Sequence, residues 1–147
     1  MSFVRERSAG YMTNWAARLF ARAIDQRLKE IGVSSGQLPV FFALADGKSL
    51  TQKHLARTAE IEQPTMAATL SRMERDGLIE RRPDPADGRS SLVSLSPAAR
   101  RKAELVLEAV NDINAAALEP LGEAERAALL DNLGRIVAAL ERKLSAG

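Results

Sequence analysis

Apolar residues recur at three- and four-residue steps over most of this chain, and the period shortens to two only near its middle. From Met12 to Ile31 one row holds Met12, Ala16, Leu19 and Ala23, and the next holds Phe20, Ile24, Leu28 and Ile31. That spacing predicts a long helix with a wide apolar face. Gly32 ends it, as a glycine just past a helix does. Ser34-Ser35-Gly36-Gln37 reads as a capping box opening a second helix that reaches Ala45, with Pro39 tolerated near its first turn. Asp46-Gly47-Lys48 is turn chemistry. Thr51 caps a short third helix, Gln52 to Thr58, whose Leu55 and Ala56 face inward. A fourth helix carries Pro64 in its first turn, points Met66, Leu70 and Met73 inward, runs to Arg75 and stops at Gly77.

The period then changes. Leu78–Arg82 and Ser91–Leu95 read as short strands around Pro83–Ser90, a segment with two prolines, a glycine and two aspartates. That composition predicts a loop, so the strands are expected to pair as a hairpin with a long tip. Residues near Leu50 allow one short extra strand. Ser96-Pro97 is a capping serine followed by a first-turn proline, and the helix it opens carries Ala103, Val106, Val110, Ile113 and Ala117 in one row. Glu119-Pro120 closes that helix. The last helix, Glu123 to Leu144, aligns Leu129, Leu133, Ile136, Leu140 and Leu144. The expected fold is mainly α with a small β-hairpin wing, in the order α-α-α-α-β-β-α-α, as one domain over residues 1–147.

Composition narrows the chemistry. There is no cysteine and one histidine, His54, which excludes disulfides, thiolate metal sites, thiol switches and multi-histidine zinc sites. No nucleophile–base pair or glycine-rich phosphate loop stands out, so no catalytic residue, metal or cofactor is expected. No apolar run approaches the roughly 18 residues of a membrane span, and the first ten lack a signal peptide's hydrophobic core. A cytoplasmic protein is expected. The net charge of +2 is unevenly spread: residues 1–29 carry +4, residues 51–102 carry +3, and residues 103–147 carry −4. A basic middle ahead of an acidic tail points to a polyanion as partner for the middle.

The third and fourth helices with the hairpin read as a winged helix-turn-helix lobe over residues 34–95. In such a lobe the second helix enters the major groove and the wing reaches the backbone or minor groove. Opposite the inward stripe lie Thr65, Ala68, Arg72 and Arg75, with Gln63, Pro64, Ala67 and Ser71 alongside. Small alanines let the backbone approach base edges, glutamine can pair with adenine, and arginine with guanine or a phosphate. Thr51 and Gln52, at the start of the third helix, complete that surface. At the wing tip Arg89 lies between Gly88 and Ser90, placed to drop into a narrow minor groove, with Asp87 positioned to hold it by an ion pair. Arg75 is equally able to pair with Glu74 or Asp76, and Arg81 and Arg82 read as decoration of an exposed strand.

The helices over residues 11–31 and 96–146 carry apolar stripes with little central core to cover them. Either they pack together within one chain or they face a second copy; their size favours the dimer, through Leu129, Leu133, Ile136 and Leu140. Trp15, Arg18, Phe41 and Phe42 are candidates to line a pocket for a small-molecule effector, although aromatics at helical spacing serve equally as core. His54 reads as a surface residue or phosphate contact rather than a pH sensor.

The run Leu50-Thr51-Gln52-Lys53-His54-Leu55-Ala56, then Gln63-Pro64-Thr65-Met66, then Met73-Glu74-Arg75-Asp76-Gly77-Leu78-Ile79, then Asp84 to Arg89 leading to Leu95-Ser96, resembles the MarR family of transcriptional regulators. The resemblance spans about residues 11–144. It implies a winged-helix fold, an obligate homodimer made by the terminal helices, and binding to a pseudo-palindromic operator in double-stranded DNA. It also implies repression relieved by a small, often aromatic and anionic ligand. Three positions depart from the family pattern. His54 replaces a common acid and so removes Thr51's capping-box partner; Gly88 stands where a second wing arginine is common, and Ala99 where a glycine is. The contrasting reading is a winged-helix module that binds proteins and no longer binds DNA. Salt separates the two: a DNA reader loses duplex affinity with a log–log slope near −0.9 per phosphate neutralised. A duplex titration across salt measures it, and a flat response would favour the protein-binding module.

Overall fold

The computed structural model describes residues 2–147. Helix α1 (Ala9–Leu28) begins where the Ser8 hydroxyl accepts the Tyr11 N–H at 3.2 Å. A single 3₁₀ turn, Lys29–Ile31, carries the chain to Gly32, whose φ of +79° is the left-handed conformation that suits glycine. The Gln37 carboxamide then accepts the Ser34 N–H at 3.1 Å, one half of the expected capping box. The second helix is shorter than its pattern predicts. A 3₁₀ turn at Ser35–Gln37 leads into α2 (Leu38–Ala43), and a separate turn, Ala45–Gly47, replaces its end. Leu44, at ψ +9°, already leaves the helical region, and Asp46 (φ +62°) and Gly47 (φ +75°) are left-handed in the turn expected there.

A short strand β1 (Leu50–Thr51) precedes α3 (Gln52–Ala59). The Thr51 hydroxyl accepts the His54 N–H at 3.2 Å, so this cap forms without an acidic partner at position 54. Glu60, left-handed at φ +55°, closes α3, and α4 (Gln63–Arg75) follows. Met66, Leu70 and Met73 of α4 are completely buried, as are Leu28, Val40, Leu44 and Leu55 from the three earlier helices and their ends. This is the core of the lobe, and α3 packs on both α2 and α4.

Strands β2 (Ile79–Asp84) and β3 (Asp87–Leu95) join β1 in an antiparallel sheet of order β1-β3-β2. The loop expected over residues 83–90 is instead mostly strand, leaving only Pro85 and Ala86 to turn. The prolines do not prevent this, because β2 is an edge strand on which Pro83 has no ladder bond to lose on its open side. Pairing is regular from Ile79↔Leu95 to Pro83↔Ser91 and then jumps to Asp84↔Asp87. Gly88, Arg89 and Ser90 therefore have no opposite residue on β2 and form a bulge. At the root of the hairpin Val93 and Leu95 are buried in the core.

Helix α5 (Pro97–Leu118) starts at Ser96, whose hydroxyl accepts the Ala99 N–H at 3.1 Å. One compact unit extends through Val110, so α1 and the start of α5 belong with the helix-turn-helix and wing; Asn111–Gly147 form a second unit. In that second unit the Glu125 carboxylate accepts the Gly122 N–H at 2.9 Å where α6 (Glu123–Ala146) begins. Leu129 and Leu133 are half-buried, whereas Ile136 and Leu140 stand 42% and 57% exposed. Among the described residues no helix is long and apolar enough to cross a membrane. Because Leu70 is fully enclosed and has no part in the outer face of α4, Leu70→Ala should cost about 2–5 kcal/mol of stability. Urea unfolding measures it, and a loss below about 1 kcal/mol would show that the α4 stripe is not the core.

Candidate nucleic-acid interface

Burying one stripe of a helix exposes the opposite one. With Met66, Leu70 and Met73 turned inward, Thr65, Ala68, Arg72 and Arg75 come to solvent on α4, together with Gln63, Pro64 and Ser71. Ala67 lies at the margin, half-buried. Thr69 faces the core, and its hydroxyl donates to the Thr65 carbonyl at 3.0 Å, so it presents nothing outward. Near the α4 N-terminus the exposed side chains are small or uncharged; its later turns carry the cations. A small-residue helix end can approach base edges closely, while its free N–H groups favour phosphate. Thr51 and Gln52 are half-buried at the start of α3. Lys53 and Arg57 of α3 share a shallow depression with Gln63, and these two cations were not singled out by the pattern.

The wing shows how Arg89 is presented. Its side chain is exposed on the three-residue bulge. The expected ion pair from Asp87 is replaced by a different contact: the Asp87 carboxylate accepts the Arg89 backbone N–H at 3.0 Å. A carboxylate two residues ahead of a backbone N–H readily closes a turn of this kind. Asp84 does the same on the other side of the tip, accepting the Ala86 N–H at 3.0 Å. Neither Arg72 nor Arg89 has a partner for its guanidinium among the described residues. Both cations are free to meet an anion.

Other charges are committed to the scaffold. Arg81, expected on an open strand, is half-buried and reaches the Glu74 carboxylate of α4 at 3.3 Å. Arg82 donates to the Ser49 hydroxyl at 3.4 Å. Arg75 lies 3.5 Å from Asp76 with both side chains largely in solvent, a pairing too screened to withhold it from another anion. Glu74–Arg81 joins residues on two different elements, so a one-dimensional pattern gives no sign of it.

Phe41 and Phe42 line a groove of about 400 Å³ between α2 and the first turns of α5. Leu44, Leu95, Ala103 and Leu107 extend its apolar wall, and Asp46, Arg100 and Glu104 supply the charges. Trp15 and Arg18 do not line it. The Trp15 ring lies under the Arg5 guanidinium, 4.5 Å from centroid, and meets Tyr11 edge-on at 6.4 Å. Arg18 is exposed on α1.

A family model described as the MarR family matches residues 31–90, which span α2, the helix-turn-helix and most of the wing. The chain is also 34% identical over 104 residues to YwoH of Bacillus subtilis (strain 168), an uncharacterized HTH-type transcriptional regulator; the match covers 71% of this chain and 74% of YwoH. The chain belongs to the MarR family. This MarR-family chain is a DNA-binding transcriptional regulator rather than an enzyme, and its mostly helical fold with a three-stranded wing is the family's. A probable transcriptional regulator from Pseudomonas aeruginosa has the same fold at a TM-score of 0.82 and 31% identity, over 89% of this chain and 98% of that one. A mutant of MarR from E. coli, crystallised in complex with operator DNA, matches at a TM-score of 0.80 and 21% identity, over 86% of this chain and 91% of that one. If the bulged wing arginine of this MarR-family chain meets a groove, Arg89→Ala should weaken binding to a preferred duplex by about 1–3 kcal/mol. Fluorescence anisotropy at fixed salt measures the loss, and an unchanged affinity would remove the wing from the interface.

Proposed function

We propose that the protein is a homodimeric, sequence-specific repressor of transcription. Each subunit lays the N-terminal end of α4 in a major groove of one half of a pseudo-palindromic operator, and Arg89 enters the adjoining minor groove. The observation that carries this reading is the pairing of two unpartnered guanidiniums, Arg72 and Arg89, with a small-residue helix face on one lobe. Phosphate contacts from the basic residues hold the register, and Gln63, Thr65 and Ala68 supply base contacts. The fold shared with the operator-bound E. coli protein supports the same orientation on DNA. A protein with this task works in the compartment that holds the DNA.

The dimer rests on α6, whose Ile136, Leu140 and Leu144 are exposed along a single stripe. An apolar row of that length in water favours a matching surface on a second copy. The groove at Phe41 and Phe42 is the site proposed for a small aromatic ligand. Its walls offer ring contacts and Arg100 offers a guanidinium to an anionic group. Because α5 forms one wall and also connects to the wing, an occupant there is placed to shift the lobes off the operator.

Selection from a random duplex pool by purified protein tests the reading as a whole. The enriched sequences should hold two inverted half-sites about 10 base pairs apart, centre to centre, or a multiple of that. Enrichment of a single half-site, or none, would contradict it. Leu133→Asp and Leu140→Asp should yield monomers in sedimentation and abolish tight operator binding. A variant that stays dimeric would place the interface elsewhere.

A further inference from the structure

Ser96 lies between the last residue of β3 and the first of α5, and it is 6% exposed. Its hydroxyl donates to the Gly77 carbonyl at 2.6 Å and accepts the Ala99 N–H at 3.1 Å. Its backbone N–H donates to the Leu78 carbonyl at 2.9 Å, and its carbonyl accepts the Arg100 N–H at 2.9 Å. Gly77 and Leu78 form the turn that leaves α4, where the Leu78 N–H donates back to the Met73 carbonyl at 2.8 Å. Ile79, the next residue, starts β2 and pairs with Leu95. The end of α4, the root of the wing and the first turn of α5 are therefore tied at one buried residue.

Capping α5 requires only an acceptor, and aspartate or asparagine would serve equally well. The proton given to Gly77 does something else: it binds the wing's root to the exit of α4. A second side-chain tie between α4 and the wing, Glu74–Arg81, is partly exposed and screened by water. Leverage makes the root important. Arg89 is seven residues along β3 from Ser96, at most about 23 Å at 3.3 Å per residue, so a pivot of about 5° at the root moves the tip by up to about 2 Å. Productive contacts tolerate roughly 0.5 Å.

We propose that Ser96 is a positioning residue for DNA reading: its hydroxyl fixes the angle between α4 and the wing so that the outer face of α4 and Arg89 meet one duplex together. This rests on the assignment of α4 and Arg89 as the DNA-contacting groups. The probe is a fluorescein-labelled duplex taken from the random-pool selection, titrated with full-length dimeric protein at a temperature where circular dichroism shows every variant folded. Ser96→Ala should bind about three- to tenfold more weakly, the range expected for one hydrogen bond. Ser96→Thr, which keeps the proton, should stay within about twofold. Ser96→Gly keeps a favoured N-cap residue but has no proton for Gly77, and should lose affinity as alanine does; it separates the tie from the cap if alanine fails to fold. On an Arg89→Ala background the loss from Ser96→Ala should shrink, because the contact it misplaces is already gone.

Equal fold-losses on the two backgrounds, or Ser96→Gly binding as wild type, would overturn the proposal while leaving the DNA contacts in place. An Arg89→Ala protein that binds as wild type would overturn the wing contact and the positioning role together.

Discussion

Burial of Met66, Leu70 and Met73 is the constraint on which the rest of the DNA-reading lobe depends. These three side chains fix the rotation of α4 about its own axis, since none of them retains any exposure. Once that rotation is set, Thr65, Ala68 and Arg72 have no choice but to face outward. In the proposed function, recognition by this lobe is thus the complement of packing: the residues assigned to reading are those the core rejects. Polar and basic side chains supply the outward face at little cost because they would be expensive to bury.

The wing uses a different device. A regular hairpin would alternate its side chains between core and solvent, and no residue of it would project beyond the tip. The jump in register after Pro83↔Ser91 frees Gly88, Arg89 and Ser90 from that alternation. The Asp87 and Asp84 carboxylates then replace the lost ladder bonds by taking backbone N–H groups on either side of the turn. The arginine is presented by backbone geometry, and its charge is left unneutralised. An ion pair from Asp87 would have offset part of the attraction for DNA on which the proposed role of Arg89 rests.

Much of this was legible in the order of residues. Caps at Ser34, Thr51 and Ser96, the stops at Gly32 and Gly77, and the inward stripe of α4 are local features, decided by neighbours within one helical turn. The length of α2 was not, because the apolar residues Leu44 and Ala45 carry the helical pattern two residues past Ala43, where the α-helix ends. The strand content of residues 83–90 was hidden because prolines and glycine signal a loop; Pro83 is acceptable on the edge strand β2, and Gly88 sits in the β3 bulge. Links between distant segments, Glu74 with Arg81 and Ser96 with Gly77, have no periodic signature at all. The same holds for the groove, where Phe41 and Phe42 meet α5 while Trp15 is held by Arg5 and Tyr11.

In the proposed function one subunit reads both grooves of the duplex at once. Dimethyl sulfate tests it with a single reagent, because it methylates guanine N7 in the major groove and adenine N3 in the minor groove. Each half-site should show protected guanine N7 positions with protected adenine N3 positions beside them, the latter lost in an Arg89→Ala protein. Protection confined to one groove in the wild-type complex would contradict simultaneous reading by α4 and the wing.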